Sequence, residues 1–404
     1  MATLSNSAQY TRNFVKYLLI FIALALIITF IAKLINDQIQ LVQESNIVAT
    51  KGYGKLPDMK LIKGLELLSD STPTYDLQTT NGRLYIEDSK SYKFENVPTV
   101  VYVYKYYANQ PSLYLNQEIK DLGGIIGYKT VPEDQNTFMR WYSSTGFRIL
   151  EITKLSKDVQ IRTDISKDNS FDTIKDFSAG FQKYQTQLYS FLASRKMTNS
   201  NYTDRSYVSE FNSEFVIWNA DKGVFERTDS ASRAEFARIN LSKTVVANYV
   251  RIPSNINGTE KVAQYLLPRQ IISTVRTDSP RVSSINAIVG PKPEDIYFLT
   301  LSGVEYDLSN FESYEIITIT EAYSKLINNE GILVDLRRNA RNDDYLYTPE
   351  SVKTFHVQKI HLDYYEPQFR AQGYLQPIYV FRGFADLTDG STAEFTFYLP
   401  AIKN

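Results

Sequence analysis

The stretch PIYVFRGFADLTDGSTAEFTFYL, residues 377–399, carries the clearest fold signal in the chain. Its first part, Pro377–Leu387, and its last part, Ala393–Leu399, are rich in the aromatic and β-branched residues that favour strands. The residues between them include Asp389-Gly390, a strong signal for a tight hairpin turn. Apolar and polar residues alternate along the second part. The stretch therefore predicts an antiparallel hairpin.

The residues before this hairpin extend the same sheet. Val352–Tyr365 reads as a long strand, but its apolar residues change parity halfway along it. A β-bulge near Gln358-Lys359 would bring them to one face. Further upstream, Thr318-x-x-Glu321 is a capping-box pattern that predicts a helix at about residues 320–329. A helix followed by antiparallel strands predicts a helix packed on one face of the sheet.

The first part of the body has weaker signals of the same kind. Leu61–Leu68, Tyr75–Leu84 and Thr99–Tyr107 are predicted strands, with a turn at Asn81-Gly82. Leu113–Leu122 is a predicted helix that ends before Gly123-Gly124. Further short strands are predicted at Phe138–Tyr142, Phe147–Ile152, Asp158–Thr163, Glu214–Trp218, Gly223–Arg227, Ile271–Val275, Ile285–Val289 and Ile296–Leu301.

An apolar stripe at steps of three and four predicts an amphipathic helix over Phe171–Leu192. We take residues 166–200 as a connection between two strand-rich domains, 61–165 and 201–404. The expected fold class is α+β, with helices packed on antiparallel sheets and a transmembrane helix at the N-terminus.

That transmembrane helix is predicted at residues 14–35, where Tyr17–Ala32 contains no charge, glycine or proline. As a helix the segment is roughly 33 Å long, enough to cross a bilayer. A cleaved signal peptide is the alternative, but no small-x-small site follows the apolar run. Arg12 and Lys16 precede the apolar run Tyr17–Ala32 and Lys33 follows it, which favours a cytoplasmic tail at 1–13 and an extracytoplasmic body after a stalk at 36–60.

Small side chains lie along one face of this predicted membrane helix. Ala25, Thr29 and Ala32 are spaced four and three apart, which permits close approach of a second helix. Alanine and threonine are also common in membrane helices, so a chance arrangement is the alternative interpretation.

Composition excludes several kinds of chemistry. Lys and Arg total 44 against 45 Asp and Glu, and this balance argues against nucleic acid as a partner. The chain has no cysteine and two histidines, which excludes thiolate chemistry and nearly excludes multi-histidine metal sites. No motif for a serine nucleophile or a phosphate-binding loop occurs. We therefore expect no catalytic residues, no cofactor and no metal.

His361 and Asp363 are the one weak candidate for a polar site. Alternation along a strand places them on the same face, where they could form a carboxylate–imidazole pair. The alternative is a polar strand face with a hydrogen-bonded histidine.

Three segments near the C-terminus carry a resemblance: TEAYSKLINNEG, HVQKIHLDYYE and YLQPIYVFRGFADLTDGSTAEFTFYLPAI. Their order of helix and strands, at about 318–404, is similar to that of PepSY-like domains. It also resembles the ends of the YycH/YycI-type membrane-anchored regulators of Gram-positive bacteria. Tyr53–Pro57 and Tyr374–Phe381 resemble segments of uncharacterised single-pass proteins from bacteria with reduced genomes.

The resemblance implies an extracytoplasmic protein that regulates or scaffolds through contacts with the bilayer and another envelope or membrane protein. In YycH/YycI-type proteins the membrane helix takes part in regulation, which would give the Ala25/Thr29/Ala32 face a role. The alternatives are a glycan-active envelope hydrolase, which needs a cleft with converging carboxylates, and a ligand- or peptide-binding module.

Overall fold

The chain divides into two compact units in a computed structural model. One unit comprises Met1–Val48 and Asn248–Ile271, and the other comprises Ala49–Ala247 and Ile272–Asn404. The structure describes residues 17, 29, 48–68, 72–78, 98–106, 115–154, 156–167, 172–175, 180–195, 197, 214–228, 232–250, 269–280, 283–292, 294–303, 306–338, 347–367 and 373–403. Few of these belong to the first unit, so the description below concerns the second.

The described strands form two nine-stranded sheets, which we call sheet I and sheet II. Sheet I has the order β10-β11-β16-β17-β18-β15; in addition β1 pairs with β16, β2 pairs with β17, and β14 pairs with β2. Sheet II has the order β3-β4-β5-β6-β13-β12-β9-β7-β8. The strands of sheet I are β1 Thr74–Leu77, β2 Val100–Tyr106, β10 Thr244–Val250, β11 Arg269–Arg276, β14 Tyr306–Glu315, β15 Ile332–Arg338, β16 Val352–Tyr365, β17 Tyr374–Leu387 and β18 Thr392–Pro400. The strands of sheet II are β3 Glu133–Asp134, β4 Phe138–Tyr142, β5 Arg148–Thr153, β6 Val159–Thr163, β7 Glu214–Asn219, β8 Val224–Arg227, β9 Phe236–Leu241, β12 Ile285–Val289 and β13 Ile296–Leu301.

The predicted α+β class with antiparallel sheets is confirmed. Most neighbouring strands are antiparallel, while β1 and β11 pair in parallel with β16. The described helices are α1 Leu115–Ile126, α2 Gly180–Ser194 and α3 Ile319–Ile327. Helices α1 and α2 share a hydrophobic core with sheet II, and α3 shares one with sheet I.

The capping box of α3 is confirmed. Thr318 accepts a hydrogen bond from the Glu321 backbone, and the Glu321 side chain accepts one from the Thr318 backbone. Ala322 and Leu326 are buried against the strands of sheet I, so the helix packs on one sheet face as predicted.

Helix α1 continues past the point where the sequence predicts its end. Gly123 and Gly124 both lie inside it. A Cβ atom on Gly123 would come within 2.6 Å of the Trp141 ring on β4. The glycine therefore allows the helix to approach the sheet closely, and this packing outweighs the low helix propensity of glycine.

Helix α2 begins later than predicted. Residues 172–175 are not helical, and the backbone amide of Ile174 donates to the carbonyl of Glu235 at 2.8 Å. The helix starts at Gly180, whose φ of 62° suits glycine. From there the predicted stripe is buried at Tyr184, Leu188 and Leu192. The predicted positions Phe171 and Phe177 lie outside the described residues.

The strand pairings do not follow the predicted boundary between domains 61–165 and 201–404. Strand β6, from the first predicted domain, pairs with β13 from the second. Likewise β1 pairs with β16, and β2 pairs with β14 and β17. Helix α2 packs on sheet II and does not bridge two separate bodies. Strand pairing between distant segments has no local signal, so a boundary drawn from the order of elements fails here.

One predicted strand, Leu61–Leu68, is wrong. The described segment has no ladder, although the Leu65 amide donates to the carbonyl of Leu333 at 2.8 Å. Leu65 and Leu67 pack against the core of sheet I. The predicted turn at Asn81-Gly82 lies outside the described residues.

Candidate functional site

A β-bulge in β16 shapes the polar face of sheet I. Val357 pairs with Gly383 and Lys359 pairs with Arg382, so Gln358 has no partner on β17. This is the bulge predicted near Gln358-Lys359. It places Phe355, Val357, Ile360 and Leu362 together in one core.

Glycine is required opposite the bulge. A Cβ atom on Gly383 would lie 1.9 Å from the carbonyl oxygen of His356 and 3.0 Å from the backbone nitrogen of Gln358. Both atoms belong to backbone and cannot rotate away, so the bulge and this glycine depend on each other.

The two predicted polar-site residues, His361 and Asp363, are buried on β16 beyond the bulge. The Oδ2 atom of Asp363 pairs with Nε of Arg276 at 2.7 Å, and its Oδ1 accepts from the Thr274 amide at 3.2 Å. The Asp363 carboxylate is therefore engaged by Arg276 and Thr274 on β11, whereas a carboxylate–imidazole pair was one of the two interpretations that the sequence left open. Both ends of the Asp363–Arg276 pair are buried, so it belongs to the interior of the protein.

Burial lowers the pKa of His361 well below its ordinary value, and the positive charges of Arg276, Arg382 and Lys359 lower it further. The imidazole is therefore neutral at physiological pH.

The other histidine, His356, ties three strands together. Its Nδ1 lies 3.1 Å from Oδ2 of Asp76 on β1, and its Nε2 lies 2.9 Å from Oδ2 of Asp386 on β17. Gln78 also reaches Nδ1 at 2.9 Å, and the ring stacks on Phe384. Burial lowers the pKa of His356, but the hydrogen bonds from its imidazole to Asp386 and Asp76 outweigh this effect, so the pKa is raised overall.

The open part of the polar face is a cavity of about 420 Å³ beside the bulge. Lys359 and Arg382 line it from β16 and β17, while Asp335 and Glu394 line it from β15 and β18. Cross-strand pairing aligns Lys359, Arg382, Thr396 and Asp335 in one row across four strands. We call this feature the mixed-charge groove, because its cations and its carboxylates lie on different pairs of strands.

Arg382 is the most enclosed cation of the groove. Burial lowers its pKa to about 10, and the charge of Arg276 acts in the same direction, while Asp363 and Glu394 oppose the shift. The guanidinium remains charged at physiological pH. A bound group with a negative charge would meet a cation that has already lost much of its water.

A second polar cluster lies where the chain passes between the two sheets. The ammonium of Lys243 lies 3.3 and 3.2 Å from the two carboxylate oxygens of Glu366. Ser302 donates to the same carboxylate at 2.5 Å, and the Tyr306 hydroxyl donates to its other oxygen. Sequence spacing gives no sign of this cluster, because its members lie on four separate connections and strand ends.

The contact between Ser302 and Lys243, 3.5 Å from Oγ to Nζ, invites comparison with a serine–lysine catalytic pair. Lys243 is 0% exposed, and its ammonium is ion-paired to Glu366. An ammonium held in this way has no lone pair with which to accept the serine proton. The cluster is therefore better explained as a structural junction between the sheets.

Of the predicted membrane-helix face, only Thr29 is described, and it is helical and exposed. Ala25 and Ala32 lie outside the described residues. Among the residues that the structure does describe, no helix has the length and apolar character needed to span a bilayer. In the same part of the chain, no group of three or more histidine or acidic side chains is placed to hold a metal ion.

Comparisons of the chain with protein-family models, with curated proteins and with solved structures gave no match.

Proposed function

We propose that this chain is a single-pass, membrane-anchored extracytoplasmic protein that binds another envelope protein and has no catalytic role. The observation that carries the proposal is the uncharged apolar run Tyr17–Ala32, followed closely in the sequence by a folded body. An apolar run of this length is typical of a bilayer-spanning helix. The cytoplasmic position of the tail at 1–13 follows from the basic residues that precede the run.

The mixed-charge groove is the surface that we propose for the partner. Its volume of about 420 Å³ is large enough for one or two side chains of an extended segment. The cations Lys359 and Arg382 and the carboxylates Asp335 and Glu394 favour a partner segment that carries both charges. Complementary charges of this kind select a partner and fix its orientation.

A glycan-active hydrolase is the second candidate, because Asp335 and Glu394 line the same cavity. A glycosidase needs one of its two carboxyl groups to be protonated near neutral pH. Here Arg382 interacts electrostatically with Glu394, and Lys359 lines the same cavity, so the carboxylates lie among cations. The charge distribution therefore favours binding over acid catalysis.

Photo-crosslinking in intact cells tests the proposal. A photoreactive amino acid at Gln358 lies in the groove, while the same group at Lys353 lies on the same strand, is exposed and does not line the groove. We expect a protein adduct from position 358 that is absent from position 353 and is reduced by Lys359→Glu. Identical adducts from both positions, or none, would overturn the groove as the binding surface.

Two further measurements separate the alternatives. Extraction of membranes with alkaline carbonate should leave the full chain in the membrane, and release of the chain would refute the anchor. Purified full-length protein should leave peptidoglycan intact. Release of glycan fragments that stops in Glu394→Gln would establish the hydrolase instead.

A further inference from the structure

Strand β14 carries an outward bulge with exposed apolar side chains. Asp307 pairs with Lys105 on β2, but the next paired residue is Phe311, opposite Tyr104. The residues between them leave the ladder. Leu308 is 40% exposed and Phe311 is 43% exposed. We call the three residues that leave the ladder, together with the paired Phe311 that follows them, the β14 bulge (Leu308–Phe311).

Aromatic side chains surround the β14 bulge. The Phe311 ring lies 4.5 Å from the ring of Tyr102 and 5.9 Å from that of Tyr104, measured between centroids. Tyr53 stacks nearby on Tyr314 and contacts Tyr374. Tyr104 and Tyr314 are buried, whereas Tyr53, Tyr102 and Tyr374 are partly exposed. Partly exposed tyrosines concentrate where a membrane meets water.

The first described residues of the body contact β14 both at the bulge and just after it. The Thr50 amide donates to the Ser313 hydroxyl at 3.0 Å, and the Lys51 amide donates to the Ser313 carbonyl at 3.1 Å. The Tyr53 hydroxyl donates to the carbonyl oxygen of Asn310 at 2.7 Å, and it lies 2.8 Å from the amide oxygen of the same residue. The chain therefore lies against β14 beside the bulge at Thr50–Tyr53, and we call this segment its entry point into the body.

The connection from the predicted anchor to this entry point is short. Residues 36–49 separate the end of the apolar run from Thr50. A connection of this length spans no more than about 50 Å even when fully extended. A tether this short keeps the entry point at a high local concentration relative to the bilayer surface.

We infer that the β14 bulge rests in the interfacial layer of the bilayer that holds the anchor, with Leu308 and Phe311 inserted among the lipids. The inference rests on the proposed membrane anchor. It explains why two large apolar side chains are exposed beside the entry of the chain. The bulge then fixes the orientation of the body relative to the membrane.

Site-specific fluorescence in lipid vesicles tests this inference. The chain has no cysteine, so a single introduced cysteine takes an environment-sensitive dye without background. The full chain is reconstituted into phosphatidylcholine–phosphatidylglycerol vesicles with the dye on Phe311→Cys or, separately, on Leu308→Cys. The matched control is Val131→Cys, an apolar residue before β3 that is 91% exposed. We expect a blue shift and quenching by a lipid-borne quencher at 311 and 308, and neither at 131.

An alkaline carbonate wash of the same vesicles tests the membrane anchor separately from the contact between the bulge and the lipids. If the chain stays in the vesicles but the dyes at positions 308 and 311 are not quenched, the anchor is supported and the inference about the bulge is refuted. Equal quenching at 131 and 311 also overturns it, because the contact would not be specific to the bulge. If the wash removes the chain from the vesicles, both the proposed anchor and the inference are refuted.

Discussion

Replacing Lys243 with methionine should destabilise the body strongly, although no ligand or substrate is involved. The ammonium is 0% exposed and pairs with Glu366, whose side chain is 3% exposed. Lys243→Met keeps much of the aliphatic volume but leaves the Glu366 carboxylate buried without its countercharge. Breaking a buried pair in this way costs about 3–5 kcal/mol of the free energy of unfolding.

This cost converts into a measurable change in Tm. The unit that contains the pair has about 330 residues. At about 2.1 cal/mol/K of unfolding entropy per residue, a loss of 3–5 kcal/mol lowers Tm by about 4–7 °C. Circular dichroism of the full chain in detergent, followed on heating, measures this change.

Two further variants test whether the unpaired buried charge is the cause of the lost stability. Lys292→Met removes a surface pair with Asp172, in which both side chains are more than half exposed, so it should lower Tm far less than Lys243→Met does. The double variant Lys243→Met/Glu366→Gln removes both buried charges and should recover most of the lost Tm. If Lys243→Met and Lys292→Met shift Tm equally, or if Glu366→Gln recovers nothing, the buried charge is not the cause.

Two further predictions concern the bulge in β16 and the histidines. Gly383→Ala places a Cβ atom 1.9 Å from the His356 carbonyl, so we expect a loss of about 3 kcal/mol or more in unfolding free energy, measured by denaturant titration. His356 has a raised pKa on folding, caused by Asp76 and Asp386 against the effect of burial. Its stabilisation is full below the unfolded pKa of about 6.5 and is lost as pH rises through the folded pKa. The Tm of wild type minus that of His356→Gln should therefore fall as the pH rises above about 6.5, and a flat difference would contradict the assigned contacts, since His361 is common to both proteins.

Local sequence signals predicted the C-terminal part of sheet I well. The Asp-Gly turn, the capping box at Thr318 and the strand Val352–Tyr365 each depend on residues close together in the chain. The bulge at Gln358 was predictable for the same reason, because a change of parity within one strand is visible in the sequence. The part that the bulge takes in shaping the groove was not predictable, because Asp335 and Glu394 come from other strands.

Signals that depend on distant contacts were not visible. Leu61–Leu68 has the apolar pattern of a strand, but it packs its leucines on the sheet I core without joining a ladder. Gly123 ends a helix by propensity, yet close packing on Trp141 keeps it helical. In both cases the tertiary partner decides the outcome, and that partner lies elsewhere in the chain.

The buried charges explain why the predicted two-domain division fails. Lys243 lies in the short connection from β9 to β10, Arg276 ends β11 before the chain returns to sheet II, and Ser302 begins the connection from β13 to β14. These crossings are tied to one another, because the Val275 amide donates to the Lys243 carbonyl and the Glu366 amide donates to the Arg276 carbonyl, both at 2.8 Å.

A chain of two domains joined by one flexible linker would not need buried charges at the linker, since the linker could remain in contact with water. Here several crossings converge on one buried carboxylate, that of Glu366. A wrong pairing of the two sheets would leave Lys243 or Glu366 without its countercharge at a cost of several kcal/mol. We therefore expect the charged junction to select the register between the sheets, in addition to any net stability that it contributes.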